Sequence, residues 1–434
     1  MLKKRIEGNE LKMTVPEVKK NYREPVVELE HGFKLDAADL ESHTAILGES
    51  GSGKTTFLEE IMEAIFPQVE EKNDNVIVFA VKKQMLKYCR PGDILIRADQ
   101  SDADSAPNFF REMKASSNPE LCAKEIAESL FADQKNTVQP FFTLSPQEIF
   151  EKSLLFLYDY VKNENMDLDN SDLREFILTT PVYGTEEIPG WIDWCEKKPQ
   201  YFACIRDYLG EGGSDQSLGV LAELRAACSV FWGGFSQKGG KFSAIESIKK
   251  GGKRIFLYYD YASAGHSSRK MFKLLLDMMI KQSLSSEIKH HNWYILDEIS
   301  ILPKMDLINS LSIGREFGFR CILCLQSAKL LCNHYSKQEA EILLSLCQNM
   351  ICFRTSDAYT RSLLAGRYGK ARYQYSYVGM GEEVYTVDAV EPVISDFSFG
   401  NLVKSGNAIM SLAGYEFPFL YEGYRESLKK SPEK

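Results

Sequence analysis

Hydrophobic and polar residues follow a strand-like pattern in two parts of the chain and a helix-like pattern between them. Short apolar runs, typical of strands that are buried on both faces of a parallel sheet, occupy 43–47, 75–81, 253–260, 293–296, 319–325 and 350–354. Amphipathic segments with helical spacing separate most of these runs. This alternation predicts an α/β fold with a doubly wound, mostly parallel sheet.

The strand-like pattern stops near residue 99 and returns near residue 246. Between them, apolar residues recur at helical spacing, and we predict helices over 121–133, 172–178, 200–209 and 218–231. A further helix is predicted to begin at Ser145-Pro146-Gln147-Glu148, which has the spacing of a capping box and a proline in the first turn. We therefore interpret residues 99–245 as an all-α insertion domain. We expect their tryptophans, Trp191, Trp194 and Trp232, to lie mostly in a core or an interface.

The α/β domain is then discontinuous and comprises residues 25–98 and 246–425. Residues 1–24 are charged and show little periodicity, so we predict an irregular N-terminal arm. Residues 426–434 are polar and are predicted to form a disordered tail.

A glycine-rich loop follows the first buried strand. Gly48-Glu49-Ser50-Gly51-Ser52-Gly53-Lys54-Thr55 fits G-x-x-x-x-G-K-[ST], the Walker A pattern. Glycines allow the backbone to approach a phosphate and to point successive N–H groups at it, while the following helix directs its N-terminus there. The alternative is a glycine-rich turn that binds no ligand. It does not explain why a strand, the glycine pattern and a helix occur here in the order that a phosphate-binding loop requires. The expected ATP-binding residues are Gly48, Glu49, Ser50, Gly51, Ser52, Gly53, Lys54, Thr55 and Thr56.

Within this loop, Lys54 is expected to reach the β- and γ-phosphate oxygens, and the Thr55 hydroxyl to ligate Mg²⁺.

An apolar strand, 293–296, ends in Asp297-Glu298 and is interpreted as a Walker B motif. Asp297 would hold Mg²⁺, directly or through a water, and Glu298 would act as the general base for the attacking water. Because acidic residues often end strands, Asp297-Glu298 alone is weak evidence for a Walker B motif. The interpretation depends on the presence of the Walker A loop in the same chain.

Gln326 follows the apolar strand 319–325. Ligands of parallel sheets bind outside the carboxyl ends of the strands, where Lys54, Asp297 and Glu298 are also predicted. Gln326 would there sense the γ-phosphate or orient water. The alternative is an ordinary polar residue at the end of a strand.

Composition and charge narrow the class of protein. A chain of 434 residues with 44% hydrophobic and 26% charged residues is an ordinary globular chain of more than one small domain. The net charge of −9 does not support affinity for nucleic acid over the whole surface, so DNA would require a local basic strip. No run of 18 apolar residues and no signal-peptide pattern occur, and the ten scattered cysteines indicate reduced thiols. These features predict a cytoplasmic location.

Cys321 and Cys324 form a C-x-x-C spacing within the run 319–325. Because residues i and i+3 of a strand point to opposite faces, this spacing does not favour a metal or redox pair. We interpret the two residues as buried structural thiols.

Taken together, these motifs resemble those of the HerA–FtsK superfamily of ring-forming DNA pumps. Within it they resemble the coupling-protein ATPases of conjugative type IV secretion (TraG/TraD-like), over about residues 25 to 425. Beyond the Walker A loop and the helical insertion, the resemblance is carried by Leu296-Asp297-Glu298, Gly314-Arg315-x-x-Gly318, Leu325-Gln326-Ser327 and Tyr335-Ser336. It implies a RecA-like P-loop ATPase domain that binds ATP and Mg²⁺.

The resemblance also implies a ring oligomer, a hexamer, in which Arg315 is the candidate arginine finger that reaches the nucleotide of the neighbouring subunit. Such a residue stabilises charge in the transition state and makes hydrolysis depend on assembly. The alternative is a surface arginine in a loop. The implied partners are DNA or relaxase–DNA cargo, and secretion-channel or membrane-anchoring proteins that recruit the chain to the inner face of the cell membrane.

The sequence departs from the family pattern in four ways. Ala80-Val81-Lys82 lacks the usual Asp before the Lys, and Tyr335-Ser336 replaces Tyr-Gly. No membrane helix is predicted, and the chain is acidic. Three other functions stay open: an ATP-gated adaptor for cargo or channel, a defence-associated HerA-like ATPase, and, ranked last, a small-molecule kinase.

Overall fold

The computed structural model describes residues 2–16, 22–29, 33–131, 140–164, 167–210, 212–231, 233–265, 268–378 and 384–423. The predicted tail, 426–434, and Trp232 lie outside these residues. The strands are β1 Leu2–Glu7, β2 Val27–Glu28, β3 Lys34–Leu35, β4 Thr44–Leu47, β5 Asn75–Ala80, β6 Ile94–Arg97, β7 Arg254–Tyr258, β8 Asn292–Leu296, β9 Phe319–Leu325, β10 Asn349–Phe353, β11 Lys370–Val378, β12 Val384–Pro392, β13 Asn407–Ser411 and β14 Phe419–Glu422.

The predicted helical segments 121–133, 172–178, 200–209 and 218–231 each overlap a helix of the structure with shifts at the ends, and residues 132 and 133 lie outside the described residues. The α-helices of the described part of the chain follow in order. They are α1 Ala37–Leu40, α2 Lys54–Ile65, α3 Pro67–Glu71, α4 Phe109–Ala115, α5 Pro119–Phe131, α6 Phe141–Glu164, α7 Asn170–Thr179, α8 Trp191–Lys197, α9 Pro199–Leu209, α10 Asp215–Ala227, α11 Ala244–Lys250, α12 Ser268–Ser283, α13 Leu307–Ile313, α14 Ala328–Leu331, α15 Lys337–Leu346, α16 Ala358–Tyr368 and α17 Asp396–Gly400. Among the described helices, none combines the length and hydrophobicity of a membrane span.

A large sheet organises the described part of the chain. Its nine strands have the order β14-β13-β10-β4-β9-β8-β5-β7-β6. The pairs β10–β4, β4–β9, β8–β9 and β6–β7 are parallel, whereas β13 is antiparallel to both β10 and β14. Every residue of β4, β8, β9 and β10 is buried, which explains why these strands are apolar runs without alternation. The predicted mostly parallel α/β fold is confirmed.

The chain divides into two compact units. The first unit is Met1–Val76, His291–Ser300 and Asp306–Lys434, and the second is Ile77–His290 and Ile301–Met305. The second unit contains the helices α4–α10 of the predicted insertion together with β6 and β7. The finer division at residues 99 and 245 stays a prediction.

The helical part of the second unit has an aromatic core. Trp191 is fully buried and packs against Phe176 and Phe202, and these rings form one cluster with Phe156 and Trp194, with ring-centroid distances between 5.0 and 6.4 Å. Tilted and edge-on arrangements of this kind stabilise aromatic pairs beyond the burial of their area. The interpretation of Trp191 as a core residue therefore agrees with the structure, and Trp194 joins the same cluster as a half-buried residue.

The predicted irregular arm is wrong for residues 2–7. These residues form β1, which pairs antiparallel with β11, and β11 pairs in turn with β12. Lys3 lies over the ring of Tyr373 at 3.8 Å and forms an ion pair with Glu391 at 2.7 Å. These partners come from strands about 370 residues away along the sequence, so the local pattern held no sign of them.

The predicted start of the long helix at Ser145 is also wrong. Helix α6 begins at Phe141, and Pro146 lies inside it. The carbonyl oxygen of Pro140 accepts hydrogen bonds from the backbone N–H groups of Thr143 and Leu144, which forms the first turn earlier than predicted. Phe141 packs edge-on against Tyr208 at 5.8 Å, so tertiary packing extends the helix past the local capping signal.

Candidate functional site

The predicted site residues of the Walker motifs meet because their strands end at one edge of the sheet. In the parallel register Leu47 of β4 pairs with Leu325 of β9 and with Cys352 of β10, and Leu296 of β8 pairs with Leu323. The residues that follow these strands therefore emerge side by side at the carboxyl edge, where parallel sheets bind ligands. All of them belong to the first unit.

The phosphate loop between β4 and α2 depends on its glycines. Gly53 has a φ of 111° and precedes the first residue of α2. A Cβ atom there would lie 2.8 Å from the backbone nitrogen of Gly406, and one at Gly48 would lie 2.7 Å from the Cβ of Phe353. Side chains at these positions would collide with neighbouring backbone and strand, so the Walker A spacing is also a packing requirement.

Lys54 begins α2 and is buried. Its ammonium donates hydrogen bonds to the carbonyl oxygens of Gly48 and Glu49, the latter at 2.9 Å. The charged group therefore lies against the backbone of the loop, as expected for a Walker A lysine. Thr55 and Thr56 follow in the first turn of α2 and are partly exposed.

The two acidic residues after β8 are buried. Glu298 has a φ of 60°, an unusual value for a residue with a side chain, so the turn after Leu296 holds it in a strained conformation. The Ser300 hydroxyl and the Gln326 backbone N–H donate hydrogen bonds to its carboxylate. Asp297 precedes it and is 3% exposed.

Burial raises the pKa of the Glu298 carboxyl above its ordinary value. The negative charge of Asp297 acts in the same direction, whereas the Ser300 hydrogen bond and the Lys54 ammonium oppose it. A carboxylate with a raised pKa is a stronger base, which suits a group that accepts a proton from water. These interactions also show that Lys54, Asp297, Glu298 and Gln326 lie together, as predicted.

Gln326 contributes to this cluster in two ways. Its backbone N–H binds Glu298, and its side chain is exposed directly after β9. The loop and this strand end are also joined, because the Gly48 N–H donates to the Leu325 carbonyl oxygen at 3.2 Å. The structure thus places Gln326 at the edge where it was predicted, while its role stays a prediction.

Sequence reasoning missed a polar contact that holds the Walker A glutamate. The Arg354 guanidinium binds the Glu49 carboxylate, and the Glu49 N–H donates to the Arg354 carbonyl oxygen at 2.9 Å. Burial alone would raise the pKa of Glu49, but hydrogen bonds from Ser356 and Arg354 lower it below the ordinary value. Arg354 directly follows β10, so the strand-end rule that selected Gln326 would have found it.

Arg315 lies at the opposite edge of the sheet. It belongs to the short 3-10 turn Gly314–Phe317 that precedes β9, it is exposed, and its guanidinium donates to the Gln348 amide oxygen at 3.1 Å. The seven residues of β9 separate the two edges by roughly 20 Å. The structure therefore does not bring Arg315 to the phosphate loop of its own chain, and a role across a subunit interface stays a prediction.

The donors around the phosphate loop fit a nucleoside triphosphate with Mg²⁺. A Cβ atom at Gly51 would meet nothing within 4 Å, so there is open space on that side of Gly51. The buried Ser52 hydroxyl has no hydrogen-bond partner among the described residues. A lysine ammonium, backbone N–H groups, the Thr55 hydroxyl and the Asp297 carboxylate are the donor set that phosphates and Mg²⁺ require.

The C-x-x-C pair is not part of this site. Cys321 and Cys324 are both buried within β9, and burial raises the pKa of Cys321 well above its ordinary value. Within the described residues, no group of three or more His, Cys, Asp or Glu side chains is arranged to hold a metal ion.

Comparison with known proteins gives one family. The family model described as the type IV secretion-system coupling protein DNA-binding domain matches residues 32–380. A comparison with curated protein sequences found no match.

Several solved structures share the fold. The bacterial conjugative coupling protein TrwBΔN70, in its unbound monoclinic form, is 17% identical with a TM-score of 0.73, over 98% of this chain and 95% of that chain. TrwB in complex with the ATP analogue ADPNP is 17% identical with a TM-score of 0.71, over 99% and 96%. VirB4 of Thermoanaerobacter pseudethanolicus is 12% identical with a TM-score of 0.56, over 95% and 99%. At these identities the likeness shows the fold.

Proposed function

Because the chain belongs to the family of type IV secretion-system coupling protein DNA-binding domains, we propose that it is an ATP-hydrolysing motor. It couples DNA or a nucleoprotein substrate to a transfer apparatus of the conjugation or type IV secretion type. The observation that carries the proposal is the meeting of Lys54, Asp297 and Glu298 at one edge of the parallel sheet. This arrangement provides phosphate binding and a base for water in the same place.

ATP is the substrate that the loop fits. The N–H groups of the loop and the N-terminus of α2 bind the phosphates, and Lys54 moves from the loop carbonyls to the β- and γ-phosphate oxygens. Thr55 and Asp297 would hold Mg²⁺, and the ion would neutralise negative charge on the phosphate oxygens. Solved structures of TrwB in complex with ADPNP, and with ADP and Mg²⁺, support the same ligands here.

Glu298 is the general base of the proposed reaction. Its raised pKa allows it to accept a proton from the attacking water, and the hydrogen bonds from Ser300 and the Gln326 N–H fix the carboxylate. The Gln326 side chain orients that water or senses the γ-phosphate. Glu298 and Ser300 follow β8 and Gln326 follows β9, so the sheet fixes the spacing between the carboxylate and Gln326.

Arg315 completes the site of a neighbouring subunit in a ring, which we take to be a hexamer. The residue is exposed, its guanidinium is oriented by Gln348, and it lies about one strand length from the phosphate loop of its own chain. An exposed, oriented guanidinium at that distance suits contact in trans. Charge supplied in this way makes hydrolysis depend on assembly.

The proposed partners are other copies of the chain, DNA or relaxase–DNA cargo, and secretion-channel or membrane-anchoring proteins. We place the motor in the cytoplasm, recruited to the inner face of the membrane by such a partner. One observation favours a second function, because a net charge of −9 does not suit a surface that grips DNA throughout. In that case the chain is an ATP-gated adaptor for protein cargo or channel. A defence-associated HerA-like ATPase is a variant of the motor.

Steady-state ATP hydrolysis in a titration with single- and double-stranded DNA, at low and moderate salt, separates these functions. For a DNA motor, DNA raises the rate and salt suppresses the gain, because phosphate contacts release counterions. Lys54→Ala abolishes hydrolysis, while Arg206→Ala, which removes an exposed ion pair in the second unit, leaves it unchanged. Hydrolysis that DNA does not change contradicts the motor and favours the adaptor.

A further inference from the structure

A short segment near the end of the described chain contacts the phosphate loop. We call Lys404, Ser405 and Gly406 the 404–406 segment. It directly precedes β13, which runs antiparallel to β10 with Ala408 opposite Phe353. An antiparallel strand begins at the edge where its parallel-sheet neighbour ends, so this connection brings the segment to the edge that carries the phosphate loop.

Two hydrogen bonds join the segment to the tip of the loop. The Ser405 hydroxyl donates to the Gly51 carbonyl oxygen at 2.9 Å, and the Gly406 N–H donates to the Ser52 carbonyl oxygen at 2.9 Å. Gly406 has a φ of 95°, and its backbone nitrogen lies 2.8 Å from the position that a Cβ atom of Gly53 would take. The segment and the loop are therefore in direct contact over three consecutive loop residues.

These bonds constrain the N–H groups of the loop through the peptide plane. In a trans peptide the C=O of one residue and the N–H of the next lie in one rigid plane and point in opposite directions. The Ser405 hydroxyl fixes the direction of the Gly51 carbonyl, so the Ser52 N–H must point away from the 404–406 segment. The Gly406 N–H fixes the Ser52 carbonyl in the same way, so the Gly53 N–H also points away from the segment. A loop that binds an anion needs its N–H groups to converge on one side.

We propose that the 404–406 segment is a positioning element of the nucleotide site. Ser405 and Gly406 hold two consecutive carbonyls of the loop outward, which fixes the peptide planes that carry the N–H groups of Ser52 and Gly53 and turns both groups toward the inner side of the loop. In this structure the Ser52 N–H donates to the Glu49 carbonyl oxygen at 3.3 Å, and it exchanges this partner for a phosphate oxygen when the nucleotide binds. The inference rests on the proposed function, because it assumes that the loop binds a nucleotide. What it adds to the proposed function is that the 404–406 segment, about 350 residues after the Walker A loop, influences the affinity for nucleotide.

The effect should appear in binding rather than in the chemical step. The N–H groups contact the phosphates in both the substrate and the transition state, so a poorly oriented loop weakens the two equally and raises KM with little change in kcat. Loss of one hydrogen bond of ordinary strength corresponds to about a five-fold change in an equilibrium constant. We therefore expect Ser405→Ala to weaken nucleotide binding and to raise KM for ATP about five-fold.

The test measures the Kd of the full chain for a fluorescent ADP derivative, with KM and kcat for ATP, in Ser405→Ala, Ser405→Thr and Ser345→Ala. Ser405→Thr keeps the hydroxyl and should bind nearly as the unaltered chain does. Ser345→Ala is the matched control, because it removes another exposed serine hydroxyl that donates to a backbone carbonyl, that of Ile342 at 2.7 Å. The thermal unfolding midpoint without nucleotide should be the same in all four proteins.

Each result has a defined meaning. Weaker binding in Ser405→Ala that Ser405→Thr restores supports the positioning role. Equal Kd values for Ser405→Ala and Ser345→Ala, or a fall in kcat without a rise in KM, overturn it. If Lys54→Ala weakens binding while Ser405→Ala does not, only this inference fails. If the unaltered chain binds no nucleotide, the proposed function fails with it.

Discussion

His43 makes the stability of the phosphate-loop strand depend on pH. It directly precedes β4, is 1% exposed, and uses both ring nitrogens. Its Nε2 lies 3.0 Å from the Leu311 carbonyl oxygen, and its Nδ1 accepts the Cys321 N–H at 3.3 Å. This pattern assigns the neutral ring with its proton on Nε2, because Nδ1 must be an acceptor. If Nδ1 were protonated, its N–H would face the Cys321 backbone N–H inside the core, and the hydrogen bond between them would be lost.

The size and sign of the effect follow from the shift in pKa. Burial, with smaller contributions from Arg320 and Arg315, lowers the pKa of His43 from 6.5 to about 4. The folded state then binds fewer protons than the unfolded state between these values, so stability is fully present above about pH 6.5 and falls as the pH drops toward 4. The whole effect is about 3 kcal/mol, of which about 2 kcal/mol is lost between pH 8 and pH 5.

Hydrogen exchange measured by mass spectrometry on peptides from β4 and β9 reports this directly, because it follows the strands around His43 rather than both units together. After correction for intrinsic exchange, the opening free energy of these peptides should fall by about 2 kcal/mol from pH 8 to pH 5. His43→Gln, which does not titrate, should remove this dependence. His290→Gln, in the second unit, is the control and should keep it. The same pH dependence in His43→Gln as in the unaltered chain would refute the reasoning.

Two further predictions concern the site. Glu298→Gln should lower kcat by about 10²- to 10⁴-fold while nucleotide still binds, because the amide keeps the volume but accepts no proton; a kcat within a factor of two of normal would remove Glu298 from the chemistry. Gly53→Ala should abolish the rise in unfolding temperature that ATP produces, because its Cβ would lie 2.8 Å from the Gly406 nitrogen. Gly92→Ala, at another positive φ but with open space around its Cβ, is the matched control and should keep that rise.

The parts of the fold that sequence predicts well are those encoded locally. Strands β4, β9 and β10 are buried on both faces, so each is an apolar run that is recognisable by itself. The Walker A loop combines a strand, a glycine pattern and a helix within a few residues of one another, and the strand-end rule then places Asp297 and Gln326 beside it. The cluster of site residues was predictable because residues that directly follow neighbouring parallel strands lie side by side at the carboxyl edge of the sheet.

The features that were missed depend on distant pairing. Strand β1 is charged and is held by Tyr373 and Glu391 from the far end of the chain. The hydrogen bonds of Ser405 and Gly406 to the phosphate loop exist only because β13 pairs antiparallel with β10. Helix α6 starts early because packing partners such as Tyr208 outweigh the capping signal at Ser145. None of these partners is visible in a local window of sequence.

The most direct test of a motor that assembles across subunits is DNA-stimulated ATP hydrolysis by a mixture of two inactive variants. Lys54→Ala removes the phosphate-binding lysine but keeps Arg315, and Arg315→Ala does the reverse. If Arg315 acts in trans, each variant alone is inactive, and an equimolar mixture regains part of the activity, since some interfaces then contain both groups. An inactive mixture, or an Arg315→Ala chain as active as the unaltered protein, would contradict the account.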